Sequence, residues 1–171
     1  PETFTFAIKA NQRITHHARL KPESKELVYY LMKNTELLGA KLGPVLFQLP
    51  PFARKDAGVL RDFFATLPKT ARAAFEFRHP SWFDDEVFAL LHDHQAALCI
   101  AEAEGDLEVP VVATADWGYL RLRRPDYGDA ALRAWVKRVR QQDWQEAFVF
   151  FKHEEAGRGP QLSQRFLQLA A

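Results

Sequence analysis

Short apolar runs alternate with amphipathic stretches along the whole chain, and this alternation constrains the fold more than any single motif. Thr3 to Lys9 sets Phe4, Phe6 and Ile8 against Thr5, Ala7 and Lys9, the period of two that marks a strand with Lys9 on the inner side. Further strands are predicted over Val45 to Leu49, Ala73 to Phe77, Ala97 to Ala101, Trp117 to Leu122 and Ala147 to Phe151. Helices are predicted over Pro22 to Leu38, Lys55 to Leu67, Asp84 to His94, Asp129 to Gln141 and Leu162 to Leu169. Pro22 is a favoured first-turn residue, and Gly39 and Gly43 are available to stop the first of these helices. Six strands, nearly all followed by a helix, are the grammar of an α/β protein, either a TIM-like parallel β/α barrel or an open doubly wound sheet. A complete eightfold barrel takes about 250 residues. The 171 residues here therefore predict about six of eight β/α units, an incomplete barrel. No Gly/Ser linker or internal repeat divides the chain, so residues 1–171 are read as one domain.

Charge excludes little in bulk but directs attention to local clusters. With 23 Lys and Arg against 22 Asp and Glu, the net charge of +1 demands neither a nucleic acid nor a membrane as partner. The single cysteine, Cys99, lies in the apolar run Ala96 to Ile100 and is expected as a buried thiol in a reducing compartment. No signal-peptide pattern and no apolar run of about 18 residues occurs, so a cytoplasmic location without a membrane partner is expected.

The chemistry is expected at strand ends, where parallel α/β enzymes keep it. Phe75-Glu76-Phe77-Arg78-His79-Pro80-Ser81-Trp82 places Glu76 and Arg78 on one face of a strand that Pro80 ends. Glu76 then reads as a general base or metal ligand and Arg78 as a clamp for phosphate or carboxylate, unless the two only neutralise one another at the barrel mouth. The other strand ends contribute Lys9, Gln48, Arg121 with Tyr119 on the same face, and Lys152 with His153, while Asp116 stands at a strand entrance. Alongside Glu76, His79 and Asp116 are the catalytic candidates, although His79 could equally cap the strand exit. Trp82, Tyr119 and Trp117 suit stacking on a base or sugar as well as packing under loops.

Metal binding has candidates in His16, Glu76, His79, Asp116 and His153, but no two share a short metal-ligand spacing, so no cofactor is expected and a divalent metal is the weaker alternative. Gly-x-Gly-x-x-Gly, a Walker loop and Gly-x-Ser-x-Gly are all missing from the sequence, which removes the usual support for dinucleotide, nucleoside-triphosphate and serine-hydrolase chemistry. His92 and His94 near a helix end, and the stripe Arg133, Lys137, Arg140, read as solvated surface.

Five motifs in order carry a resemblance that spans almost the whole chain. They are Thr15-His16; Leu42-Gly43-Pro44 with Gln48-Leu49-Pro50-Pro51; Glu76-Phe77-Arg78-His79 with Ser81-Trp82; Thr114-Ala115-Asp116 with Tyr119 and Arg121; and Phe151-Lys152-His153. In these the chain resembles the YecE-like proteins, domain-of-unknown-function family seventy-two. The resemblance implies a TIM-like barrel and a candidate site that includes His16, but no reaction. It also implies that the family's leading segment, with its first two strands and an aromatic motif, is missing, leaving about the C-terminal three quarters of the domain. The first and last strands would then present open edges, from which a homodimer or further upstream chain is expected. The function expected is an enzyme acting on an anionic, phosphate-bearing substrate, with Lys9, Arg78, Arg121 and Lys152 supplying positive charge. A non-catalytic nucleic-acid or nucleotide binder and a metal-assisted phosphodiesterase, a hydrolase, are the alternatives.

Overall fold

The structure, a computed structural model, describes residues 1–102, 105, 107–152 and 157–171. His153, and with it Glu104 and Asp106, lie outside the described residues. Six strands follow one another in chain order across one sheet: β1 (Phe6–Lys9), β2 (Leu42–Gln48), β3 (Ala73–Glu76), β4 (Ala97–Glu102), β5 (Trp117–Leu122) and β6 (Glu146–Phe151). Every neighbouring pair is parallel. Helices α1 (Lys25–Thr35), α2 (Ala57–Phe64), α3 (Asp85–Asp93), α4 (Asp129–Arg140) and α5 (Arg158–Ala170) supply the crossovers and the outer layer. The sheet curls into a TIM-like half-barrel with β1 and β6 as its edges.

Alternation along the strands sorts the side chains onto two faces, and the two faces differ in kind. Outward, Val45, Phe47, Leu49, Ala73, Phe75, Phe77 and Leu98 pack against α1, α2 and α3, while Ile100, Leu120 and Leu122 pack against α4 and α5. Inward, the residues are smaller or aromatic: Ala7, Leu46, Ala74, Ala97, Cys99, Trp117, Tyr119, Phe148 and Phe150. Arg72 closes the lower end of that concave face, its guanidinium 4.8 Å from the centroid of Trp117 and 5.1 Å from that of Phe148. A helix-side core with a narrower, polar-topped inner face is how a parallel barrel leaves room for chemistry at its C-terminal rim.

Local signals explain most boundaries. Asp56 and Asp84 cap α2 and α3, accepting from the Val59 and Val87 amides at 3.0 Å. The helix predicted over Pro22 to Leu38 is instead a 3-10 turn at Pro22–Ser24, then α1, then a second 3-10 stretch at Glu36–Lys41. Gly39, with φ at 52°, breaks it in a conformation that other residues resist. The first strand is also shorter than its alternation suggests. Phe4 and Phe6 are exposed and pack edge-to-face on each other, leaving Ile8 as the β1 residue that meets the helix-side core.

Candidate functional site

Register determines what meets at the rim. Gln48 pairs with Glu76, Cys99 with Tyr119, and Ala101 with Arg121, so the inward residues of β2, β3, β4 and β5 form successive steps up the concave face. At the top step Glu76 is wholly buried. Gln48 Nε2 donates to its Oε1 at 2.8 Å, Arg121 donates to Oε2, and a terminal nitrogen of Arg123 reaches Oε1 at 3.4 Å. Arg78 Nε stands 3.9 Å from the same Oε1, at ion-pair distance. The Cys99 thiol is 4.0 Å from Oε2. Both carboxylate oxygens are therefore engaged, with guanidiniums drawn in from β5 and from the segment after β3.

More positive charge surrounds this hub than one carboxylate balances. The Lys9 ammonium is pushed below its ordinary range, first by partial burial and then by Arg121, Lys152 and Arg78, with Glu76 opposing. Lys9 ends one edge strand and Lys152 follows the other, so their mutual influence reflects the curl of the sheet. Burial opposes the charge on Arg121, but the field and hydrogen bond of Glu76 outweigh it and raise its affinity for the proton. Below the hub, Tyr119 lies beside Phe150 with ring centres 5.0 Å apart and planes tilted by 33°, and burial pushes its hydroxyl well up, as it does the Cys99 thiol. Both are neutral floor groups.

His16 joins the cluster from the β1–α1 loop, where Arg13–His17 forms one wide turn of π-helix. Its Nδ1 is 2.9 Å from the Thr15 hydroxyl, and the half-buried ring titrates below its ordinary value because of burial, then Lys9 and Arg78. Burial first, and then the neighbouring cations, thus disfavour the charged imidazolium.

The structure brings together Lys9, His16, Gln48, Glu76, Arg78, Tyr119, Arg121 and Lys152 from the residues expected at the site. Three of the described candidates, Asp116, His79 and Trp82, are engaged elsewhere. Asp116 is exposed just before β5, at the end of the sheet away from Glu76, because a residue that enters a parallel strand lies opposite the one that leaves it. His79 accepts from the Ser81 amide at 3.2 Å and caps the 3-10 turn Pro80–Trp82, with the Ser81 hydroxyl 2.8 Å from the same Nδ1. Trp82 stacks on Phe77 at 4.4 Å and donates to the Ala53 carbonyl at 2.8 Å, on the helix side of the sheet. Arg123 is the member the sequence reading missed, although Tyr119, Arg121, Arg123 continues the inward alternation of β5 by one step. Among the described residues no three His, Cys, Asp or Glu side chains converge as metal ligands. No helix among them is long and apolar enough to cross a membrane.

Parallel topology and a curled sheet define a TIM-like β/α half-barrel protein, here with a cationic C-terminal rim. The sequence matches the family described as "Protein of unknown function DUF72" over residues 1–171, and the chain belongs to that family. It is 27% identical to the UPF0759 protein YunF of Bacillus subtilis strain 168 over 172 residues, an alignment covering 91% of this chain and 59% of that protein. A crystal structure of a DUF72 family protein from Thermotoga maritima superposes with a TM-score of 0.78 at 23% identity, covering 99% of this chain and 73% of the other. One from Enterococcus faecalis V583 gives 0.81 at 17% identity, covering 99% and 79%. The chain therefore spans less than two thirds of its curated relative and about three quarters of these solved structures.

Proposed function

We propose that the concave rim binds an anionic, phosphate-bearing substrate and acts on it by acid–base chemistry. The observation that supports this reading is the imbalance at Glu76. Lys9, Arg78, Arg121 and Arg123 gather there, and among the described residues Glu76 is the one carboxylate at ion-pairing distance from any of these four. Clustering cations costs repulsion and desolvation, which a bound anion offsets. Arg78 is the freest of the guanidiniums, at 36% side-chain exposure and 3.9 Å from its carboxylate, and suits a clamp that closes on ligand oxygens. Glu76, fully covered and engaged at both oxygens, holds that clamp in position. His16, neutral and half-buried beside the cations, is better placed to move a proton.

The test combines binding and turnover. Calorimetric titration with inorganic phosphate should show binding that weakens with salt. Arg78→Ala should weaken it by about 1.5 to 3 kcal/mol, the range for charge-assisted hydrogen bonds. His16→Asn should retain phosphate binding but abolish hydrolysis or isomerisation of any phosphate ester that the wild type turns over in a substrate screen. Phosphate binding unaffected by Arg78→Ala would refute the clamp. A rim that binds anions in wild type yet turns over nothing across that screen would favour the non-catalytic binder. The metal-assisted phosphodiesterase lacks a converging ligand set among the described residues.

A further inference from the structure

We propose that a second pocket on the same rim, on the helix side of β2 and β3, binds a nucleotide unit, its ring stacked on Phe52 and its phosphate held by Arg19, Lys21 and Arg54. The pocket has a volume of about 300 Å³ and draws on the β1–α1 and β2–α2 loops together with Trp82. It is separate from the Glu76 cluster: Leu49 and Trp82, which form its floor, belong to the helix-side core. The proposal does not rest on the reading of that cluster.

Three observations converge on this pocket. The first is charge. Arg19, Lys21 and Arg54 line it and form no ion pair among the described residues, whereas Lys55 is bound by Asp84 and Glu86. Asp56, the pocket's one carboxylate, accepts from the Val59 amide as the α2 cap. Three uncommitted cations remain for an anion. The second is shape and polarity. Leu49, Ala53 and Trp82 are buried and give an apolar wall, while the Phe52 ring above them is 68% exposed. A bare phosphate would use the cations and leave that wall and ring unused. A flat ring with an attached phosphate uses both, through stacking and charge-assisted hydrogen bonds. The third is backbone conformation. Arg19 and Leu20 both take positive φ, at 51° and 65°, a costly conformation for two consecutive residues that are not glycine. Leu20 is anchored by burial and by its amide N–H, which donates to the Ile14 carbonyl at 3.1 Å and so fixes Arg19 at the pocket's edge.

The experiment uses the full chain and calorimetric or tryptophan-fluorescence titration with adenosine monophosphate, adenosine, inorganic phosphate and a short single-stranded oligodeoxyadenylate. Adenosine monophosphate should bind more tightly than adenosine or phosphate. Phe52→Ala and Arg54→Ala should each weaken it at least about fivefold. Both side chains are exposed, so the melting temperature should not move and a folding defect cannot mimic the result. Arg78→Ala separates the two sites: only binding that belongs to the inner cluster should fall with it, while the binding lost in Phe52→Ala and Arg54→Ala should remain. Oligonucleotide binding much tighter than that of the monomer, steeply salt-dependent and lost in the same two variants, would identify a strand as the source of the nucleotide unit. Equal affinities would identify the free nucleotide. Binding that survives both Phe52→Ala and Arg54→Ala, binding lost in Arg78→Ala instead, or no binding of any nucleotide at low salt would overturn the proposal.

Discussion

Replacing Glu76 by Gln tests the central electrostatic argument, because it keeps the side chain's size while removing the charge that three guanidiniums share and turning one of its two acceptor oxygens into a donor. The Arg121 and Arg123 side chains are 14% and 17% exposed against a carboxylate at 0%, so water replaces little of what is lost. Removing one member of a buried ion pair costs about 3 to 5 kcal/mol. The lower end applies here, since the arginines keep some solvent and Arg78, at 3.9 Å and more than a third exposed, adds little. For a chain of this length about 3 kcal/mol corresponds to a fall of roughly 6 to 12 °C in melting temperature. Calorimetry and urea denaturation should both report it, with an unchanged urea slope. Sulfate should then stabilise Glu76→Gln more than wild type, because an anion can take the vacated role, and at ten times its Kd it contributes about 1.4 kcal/mol. A variant within about 1 kcal/mol of wild type would refute the hub. So would an equal loss in an Arg121→Met background, where the cycle should instead show coupling.

His16 should titrate below its ordinary value of 6.5, because burial, Lys9 and Arg78 disfavour the imidazolium. In the interval between the folded value and 6.5 the unfolded chain binds more protons, so stability should rise with pH across that interval, and His16→Asn should flatten the slope. Proton NMR follows the ring directly, and a midpoint above 6.5 in the free protein would contradict the assignment. Asp84 behaves in the opposite sense: the hydrogen bond from Lys55, then the Val87 amide, holds its carboxyl below the usual 3.8. Its contribution is present above that value and lost as pH falls through the lower folded one. Asp84→Ala should cost about 1 kcal/mol by removing the α3 cap, and Asp84→Asn less, since the ion pair with Lys55 is largely solvated. Urea midpoints from about pH 5 to 2 would separate the two.

The fold was legible because periodicity and caps agree along most of the chain. β5 runs from Trp117 to Leu122 as its alternation predicts, and α3 starts one residue after the Asp84 cap. Where prediction and structure part, the cause is local. Gly39 at positive φ ends the first helical region after Leu38, where a stop was expected, but both ends of that region tighten into 3-10 geometry, and the exposed Phe4, outside β1, illustrates that a period of two does not by itself determine how far a strand extends. An edge strand has one neighbour rather than two, so its first residues gain less from pairing.

The site was legible only so far as strand direction was used. Glu76, Arg121, Gln48 and Lys9 leave parallel strands and meet; Asp116 enters one and lies at the other end. Polar character alone cannot separate these cases, but position relative to the strand can. Arg123 follows from the same rule extended past the strand end, since its amide still donates to the Glu102 carbonyl at 2.7 Å and keeps the inward alternation for one more residue. What the sequence could not supply is the distribution of contacts around Glu76. Four partners on different elements reach one carboxylate, and that convergence turns an apparent base into the anchor of a cationic clamp. On the function proposed above, the proton-transfer role passes to His16, whose charge is disfavoured first by burial and then by Lys9 and Arg78.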